Sequence, residues 1–307
     1  MDILIQQIIN GLVLGSIYAL VALGYTMVYG IMGLINFAHG EVVMIGALMS
    51  LMVIKLLFNS GLPMFVIIVI ALASAVLVCM VVGYTIERIA YRPLRRAPKL
   101  APLITAIGIS IILQNLAMLI WGRNYHSFPP VFPATQFEIY GATITVLQVS
   151  IVIIAALMMA GLIVLIDRTR LGRAMRATSE NPPIAQLMGV NINQIISFTF
   201  VIGSALAAVA GLMVSANYSI AHYSMGAMLG MKAFTAAVLG GIGNILGAML
   251  GGILLGLIES LGAGYIGDLT GGMFGSNYQD VFAFLVLICV LIFRPSGLIG
   301  EKVSERA

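Results

Sequence analysis

Residues 64–99 read MFVIIVIALASAVLVCMVVGYTIERIAYRPLRRAPK. Positions 64–86 hold no charged residue. At 1.5 Å per residue that run is long enough to cross a ~30 Å hydrocarbon layer as a helix. It stops at Glu87, and Arg88, Arg92, Arg95, Arg96 and Lys99 follow. An uncharged run ending in a basic cluster reads as a membrane span whose end faces the cytoplasm. A second cluster, Arg168, Arg170, Arg173 and Arg176, closes another apolar run, 146–166. The two clusters together hold nine of the 15 basic residues.

The composition of the whole chain agrees. Of 307 residues, 61% are hydrophobic and 8% charged, against roughly 25% charged in a soluble domain. Mean hydropathy is +1.10. These values exclude a soluble enzyme, a disordered chain and a disulfide scaffold. The net charge of +4 sits in short loops rather than on a continuous basic surface, which excludes nucleic acid as a partner. Cys79 and Cys289 lie in apolar runs without metal spacing. The opening MDILIQQIIN has no basic n-region, so no cleaved signal peptide is expected.

Further apolar runs cover about 8–29, 40–58, 103–120, 195–217 and 280–293. Residues 226–238 and 246–259 are two shorter runs around Gly240-Gly241-Ile242-Gly243-Asn244. Each short run spans only ~20 Å as a helix, so they read either as two short spans or as one interrupted, re-entrant span. A Gly-rich stretch, 262–276, follows. The fold expected is all-α: one transmembrane domain over 1–307, a helical bundle of about 8–9 passes, nine preferred, with short or broken helices near 226–259. If 226–259 makes a full hairpin, the C-terminus is cytoplasmic and the N-terminus external; if it makes one pass, the C-terminus changes side. Residues 121–145, poor in basic residues and holding three prolines, form an external loop with Trp121, Tyr125 and Phe128 as interfacial anchors. Residues 167–193 form the longest cytoplasmic stretch. In it 173–179 and 184–188 read as two short amphipathic helices, broken at Asn181-Pro182-Pro183 and stopped at Gly189. Residues 14–22, LGSIYALVA, resemble 202–210, IGSALAAVA, which hints at an internal repeat.

Ionisable groups inside apolar runs are costly and face the bundle interior or a cavity. Glu41, Lys232 and Glu259 are such groups. Asn36, His39 and Glu41 form a polar knot that reads either as a helix cap or as a helix start beside a substrate path. Lys232 is placed to pair with Glu259. His126 and His222 read as surface loop residues. Spacings of Gly-xxx-Gly at Gly11/Gly15, Gly226/Gly230 and Gly252/Gly256 allow close helix contact. The chain has no GxxxxGK[ST], HExxH or GxSxG motif. A transporter powered by a separate subunit fits best; a stand-alone channel or carrier and an intramembrane enzyme fit less well.

Four blocks resemble one family over essentially the whole chain: GSIYALVALGYTMVYGIMGLINFAHGEVVMIGA (15–47), IERIAYRPLRRAP (86–98), RLGRAMRATSENPPIAQLMGVN (170–191) and MGAMLGMKAFTAAVLGGIGNILGAMLGG (225–252). They are similar to LivH-like permeases of bacterial branched-chain amino acid ABC importers. The resemblance implies a multi-pass permease of the bacterial inner membrane that carries leucine, isoleucine and valine. Relatives that carry urea or short amides are the nearest alternative. It implies a homologous second permease (LivM-like), two cytoplasmic ABC ATPases that use ATP and magnesium, and a periplasmic binding protein. This chain itself would bind no cofactor and catalyse nothing. The third block resembles an ATPase-coupling loop, with Ala177, Glu180, Asn181, Ala185 and Gly189 as its signature and Arg173 and Arg176 beside it. Asn36, His39, Glu41, Lys232, Gly241 and Gly243 are the candidates for the translocation path or gate.

Overall fold

A computed structural model describes residues 2–95, 97–98, 100–133, 135–139, 141–271 and 278–300. Twelve helices are assigned among them: α1 (Asp2–Met32), α2 (His39–Leu57), α3 (Met64–Ile86), α4 (Arg92–Leu94), α5 (Leu100–Trp121), α6 (Val146–Arg168), α7 (Arg170–Glu180), α8 (Pro182–Leu187), α9 (Ile192–Tyr218), α10 (Met225–Gly240), α11 (Ile245–Leu269) and α12 (Gln279–Phe293). Seven are long and apolar enough to cross a membrane; α10 and α12 are shorter apolar helices. A five-residue π-helix, Glu87–Tyr91, carries α3 on into α4, so the first basic segment starts as helix rather than loop. The external segments add two small strand pairs. β1 (His126–Ser127) pairs antiparallel with β4 (Ile220–Ala221), and β2 (Gln136–Ile139) with β3 (Ala142–Thr145).

The ends of the helices sort into two sets. Arg95 donates to Asn193 Oδ1 at 2.6 Å, which joins the two basic segments at one end of the bundle. Tyr29–Met32 of α1, Gly33, Asp167, Arg176, the α10–α11 turn and Pro295–Ser296 line a common cleft at that end. There Leu298 and Ile299 N–H donate to the carbonyls of Leu239 and Gly240. At the opposite end Gln6 exchanges hydrogen bonds with the backbone of Thr143. With the basic end cytoplasmic, α1 starts outside and the chain at residue 300 lies inside.

The short runs at 226–259 form an antiparallel hairpin, not one interrupted span. Gly241 (φ 108°) and Gly243 (φ 98°) turn the chain in a conformation that L side chains rarely adopt. A Cβ on Gly247 would meet Gly240, and one on Gly251 would meet Ala236, so the two helices touch backbone to backbone. The glycine break therefore sits at the cytoplasmic end, away from the middle of the bundle. The second run is also longer than its sequence reads: α11 continues through the Gly-rich positions to Leu269. Its glycines are helical because they pack against α1. A Cβ on Gly256 would strike Gly15, and one on Gly252 would strike Ala19. In a bilayer, where apolar surface gains little from leaving lipid, such close van der Waals contact holds helices together.

The elements repeat with opposite polarity. α1, a non-helical link (33–38), α2 and α3 correspond to α9, a link (219–224), α10 and α11. α1 packs on α11 as α9 packs on α3, and α2 packs on α9 as α10 packs on α1. The similar stretches 14–22 and 202–210 fall in α1 and α9. α1 runs inward and α9 outward, which is the inverted-repeat arrangement of many transporters. α3, α5 and α6 turn apolar side chains such as Leu77, Leu119 and Leu157 outward.

Candidate functional site

At the cytoplasmic end, α7 and α8 form a bracket. Thr169 caps α7 by accepting from Gly172 N–H, and Asn181 ends α7 and caps α8 by accepting from Ile184 N–H. Pro182 follows at the first turn, where a missing N–H costs nothing. Gly189, at φ 86°, closes the unit, and Asn191 caps α9. One face is anchored: Gly172, Met175, Thr178 and Ala185 are buried. A Cβ on Gly172 would run into the carbonyl of Ile166, so α7 lies hard against the end of α6. The other face is open. Arg173, Arg176, Ala177, Glu180 and Asn181 are exposed, and so are Ile184, Leu187 and Met188. Leu187 and Met188, at 86% and 80% exposure, are large apolar side chains outside the bundle. With Ile184 they form one exposed apolar patch, the kind of surface that a partner or a membrane covers. Arg176 pairs with Asp167 at 2.8 Å, which ties the bracket to α6.

Deeper in the bundle the two links bring α2 and α10 together at their N-termini. Gly40 packs on the backbone of Gly226 and Gly230. Asn36 is buried; its Oδ1 accepts from Ala38 N–H at 3.2 Å and from Tyr91 O–H at 3.1 Å. It ties the link to the α3 extension and is not the N-cap, which is Ala38. His39 is buried against Gly24, edge-on to Tyr25 at 4.9 Å, and its Nε2 has no hydrogen-bond partner. Glu41 is 1% exposed. Its Oε1 accepts from Ser110 O–H at 3.1 Å, and its Oε2 has no partner. Neither α2 nor α10 has a side-chain N-cap.

A second polar cluster joins α1, α10, α11 and α12. Lys232 Nζ lies 3.2 Å from Glu259 Oε2 and 2.7 Å from Asp280 Oδ1. Tyr18 O–H donates to the same Glu259 oxygen at 2.8 Å. The sequence suggests the Lys232–Glu259 pair but gives no hint of Asp280 or Tyr18. Asp280 heads its apolar run, where a charge is ordinary. A third cluster was not legible at all. Glu87, read as the end of a span, is fully buried and accepts from Ser197 at 2.6 Å and from Arg92 and Arg95. It ties the α3 extension to α9.

The path candidates therefore separate. Asn36, His39 and Glu41 gather at the α2–α10 crossing. Lys232 belongs to the helix-joining cluster. Gly241 and Gly243 belong to the cytoplasmic turn, and Gly243 borders the cleft of about 1160 Å³ shared by Tyr29, Asp167, Arg176 and Ser296. Two loop expectations fail. His222 is buried, stacked on Tyr125 at 4.1 Å, and bonded to Ser224 and to the Arg123 carbonyl. Phe128 is buried rather than at the interface. The β1–β4 pairing folds this external segment over the bundle, a long-range contact invisible to local composition. Among the described residues, no three His, Cys, Asp or Glu side chains gather as a metal site.

The family model for the permease component of branched-chain amino acid transport systems matches residues 7–291. The chain is 48% identical to the high-affinity branched-chain amino acid transport system permease protein BraD of Pseudomonas aeruginosa, over 98% of this chain and 97% of that one. It is 44% identical to the corresponding LivH protein of Escherichia coli, with the same coverage. A probable branched-chain amino acid permease LivH of Methanocaldococcus jannaschii is 29% identical over 96% of this chain and 92% of its own. No solved structure matches the chain.

Proposed function

We infer, given that this chain belongs to the permease-component family of branched-chain amino acid transport systems, that it is the multi-pass inner-membrane permease subunit of an ABC importer for leucine, isoleucine and valine. The observation that carries this reading is the match over nearly the full length of both chains. The chain is a non-catalytic subunit, and hydrolysis of ATP belongs to other members of the importer. Those members are a homologous second permease, two cytoplasmic ATPases and an extracytoplasmic binding protein.

The α7–α8 bracket is the ATPase dock. Its open face offers Leu187, Met188 and Ile184 as apolar anchors, with Arg173, Arg176 and Glu180 around them. Its buried face transmits a push to the membrane. α7 is seated on α6, and α8 runs through Asn191 directly into α9, so motion of the dock moves two spans together. The path is formed by the α2–α10 crossing, with Asn36 and His39 fixing the link and Glu41 facing the joint. Gly241 and Gly243 give the cytoplasmic turn the freedom to follow. Lys232 holds helices rather than substrate.

The chain reconstituted in vesicles with its partner subunits is expected to accumulate leucine, isoleucine and valine, and not urea, only when ATP is supplied. In the same vesicles Asn181→Ala and Gly189→Ala should lower substrate-stimulated ATP hydrolysis while membrane insertion stays intact. The first substitution removes the cap of α8 and the second strains a left-handed position, each worth about 1 kcal/mol. Unchanged uptake and stimulation in both variants would remove the dock assignment.

A further inference from the structure

The α2–α10 crossing has features that packing alone does not explain. It is the place where the two repeats present equivalent elements to each other, each a helix starting after a non-helical link. Both N-termini lack a side-chain cap. Ser224, the residue before α10, uses its hydroxyl on His222 instead. Met225 N–H donates to the His222 carbonyl; the other first-turn N–H groups of α10 have no partner within the helix, and the helix dipole makes that end positive. Glu41, buried to 1% exposure, brings its unpartnered Oε2 to this joint: a Cβ on Gly226 would lie 2.5 Å from it. The other oxygen is fixed by Ser110 of α5. The positive end of α10 and one carboxylate thus face each other where Gly40 meets Gly226 and Gly230 backbone to backbone.

We propose that this joint is the substrate's recognition point inside the membrane, where Glu41 takes the ammonium group of the amino acid and the α10 N-terminus takes its carboxylate. The inference rests on the importer reading above and assigns the chemistry of its path. A free amino acid is a zwitterion. Inserted between Glu41 and the α10 N-terminus, it meets each with the opposite charge and adds no net charge to a low-dielectric site. That complementarity matters because an uncompensated charge at this depth is expensive. Tyr25, Phe37 and Phe234 cluster beside the joint, with ring centroids 5.8 and 6.2 Å apart. They offer an apolar wall to a branched aliphatic side chain. Gly40, Gly226 and Gly230 close the joint by direct backbone contact, so substrate enters only when α2 and α10 part. α2 and α10 are the corresponding helices of the two repeats, so a rocking of one repeat against the other opens this contact.

The test uses the complete importer in proteoliposomes and reads leucine transported per ATP hydrolysed. The unsubstituted complex must first import leucine with ATP; failure there would sink the importer reading and is separate from the proposal. In Glu41→Gln the ratio should fall about tenfold, as expected for loss of a charge-assisted hydrogen bond, and Glu41→Asp should recover part of it. A ratio equal to the unsubstituted complex overturns the proposal, including the case where uptake and hydrolysis fall in proportion. If Glu41→Gln does not assemble, Ser110→Ala carries the test. It frees Glu41 Oε1 and should lower the ratio about threefold; an unchanged ratio again overturns the assignment.

Discussion

Lys232→Met should destabilise this protein far more than Glu259→Gln or Asp280→Asn. Lys232 is shared by two acids, at 3.2 Å from Glu259 and 2.7 Å from Asp280. The side chains of Lys232, Glu259 and Asp280 are 10%, 2% and 27% exposed. Removing either acid's charge leaves a one-to-one ion pair and costs about 1–2 kcal/mol, since the amide keeps a neutral hydrogen bond in place of the charged one. Removing Lys232 leaves two carboxyl groups with no cation, which costs about 3–5 kcal/mol for a broken buried pair. At about 2 °C per kcal/mol for a chain of this size, the lysine variant should melt about 6–10 °C lower and each acid variant about 2–4 °C lower. Neutralising all three groups should recover most of the loss, because an apolar replacement of a buried ion cluster is often neutral. Thermal unfolding of the purified chain in detergent, followed by intrinsic fluorescence, measures all four variants. If Glu259→Gln lowers the melting point as much as Lys232→Met, the shared-lysine argument is wrong. The cluster would then be two independent contacts.

Glu87→Ala should loosen the α3 extension from α9, since Arg95, Arg92 and Ser197 all converge on this fully buried carboxylate. The expected cost is about 3–5 kcal/mol, read as a lower melting point and faster proteolysis in the first basic segment. Gly256→Leu should drive α11 off α1, because even a Cβ there meets the backbone of Gly15. Overpacking of this kind costs about 1–3 kcal/mol, whereas Gly108→Ala, with no atom within 4 Å of its Cβ position, should leave the melting point unchanged or raise it slightly.

Some features were legible because they depend on one residue after another. The uncharged run 64–86 had to become a helix, since a backbone in hydrocarbon must satisfy its own hydrogen bonds. The bracket at 170–189 was legible for the same local reason: Asn181, Pro182 and Gly189 are strong punctuation, and the observed helices break where they stand. Glycine was the weak signal. Gly241 and Gly243 turn the chain, yet Gly251, Gly252 and Gly256 stay helical. The difference lies in what each one touches, and that is not a property of the residue type. His222 and Phe128 were misplaced for a related reason. A loop composition describes the neighbours in sequence, while β1 and β4, far apart in the chain, decide the burial.

The sequence by itself determined that this is a membrane protein, which end faces the cytoplasm, where the α7–α8 bracket lies and which family it joins. All of these follow from hydropathy, charge placement and contiguous blocks. Tertiary structure alone decided that Glu41 meets the α10 N-terminus, that Lys232 serves two acids and that Glu87 is buried. The deciding contacts, Glu41 with Gly226, Lys232 with Asp280 and Glu87 with Ser197, join residues distant in the chain. A buried charge is defined by the partner that compensates it, and packing rather than local sequence chooses that partner.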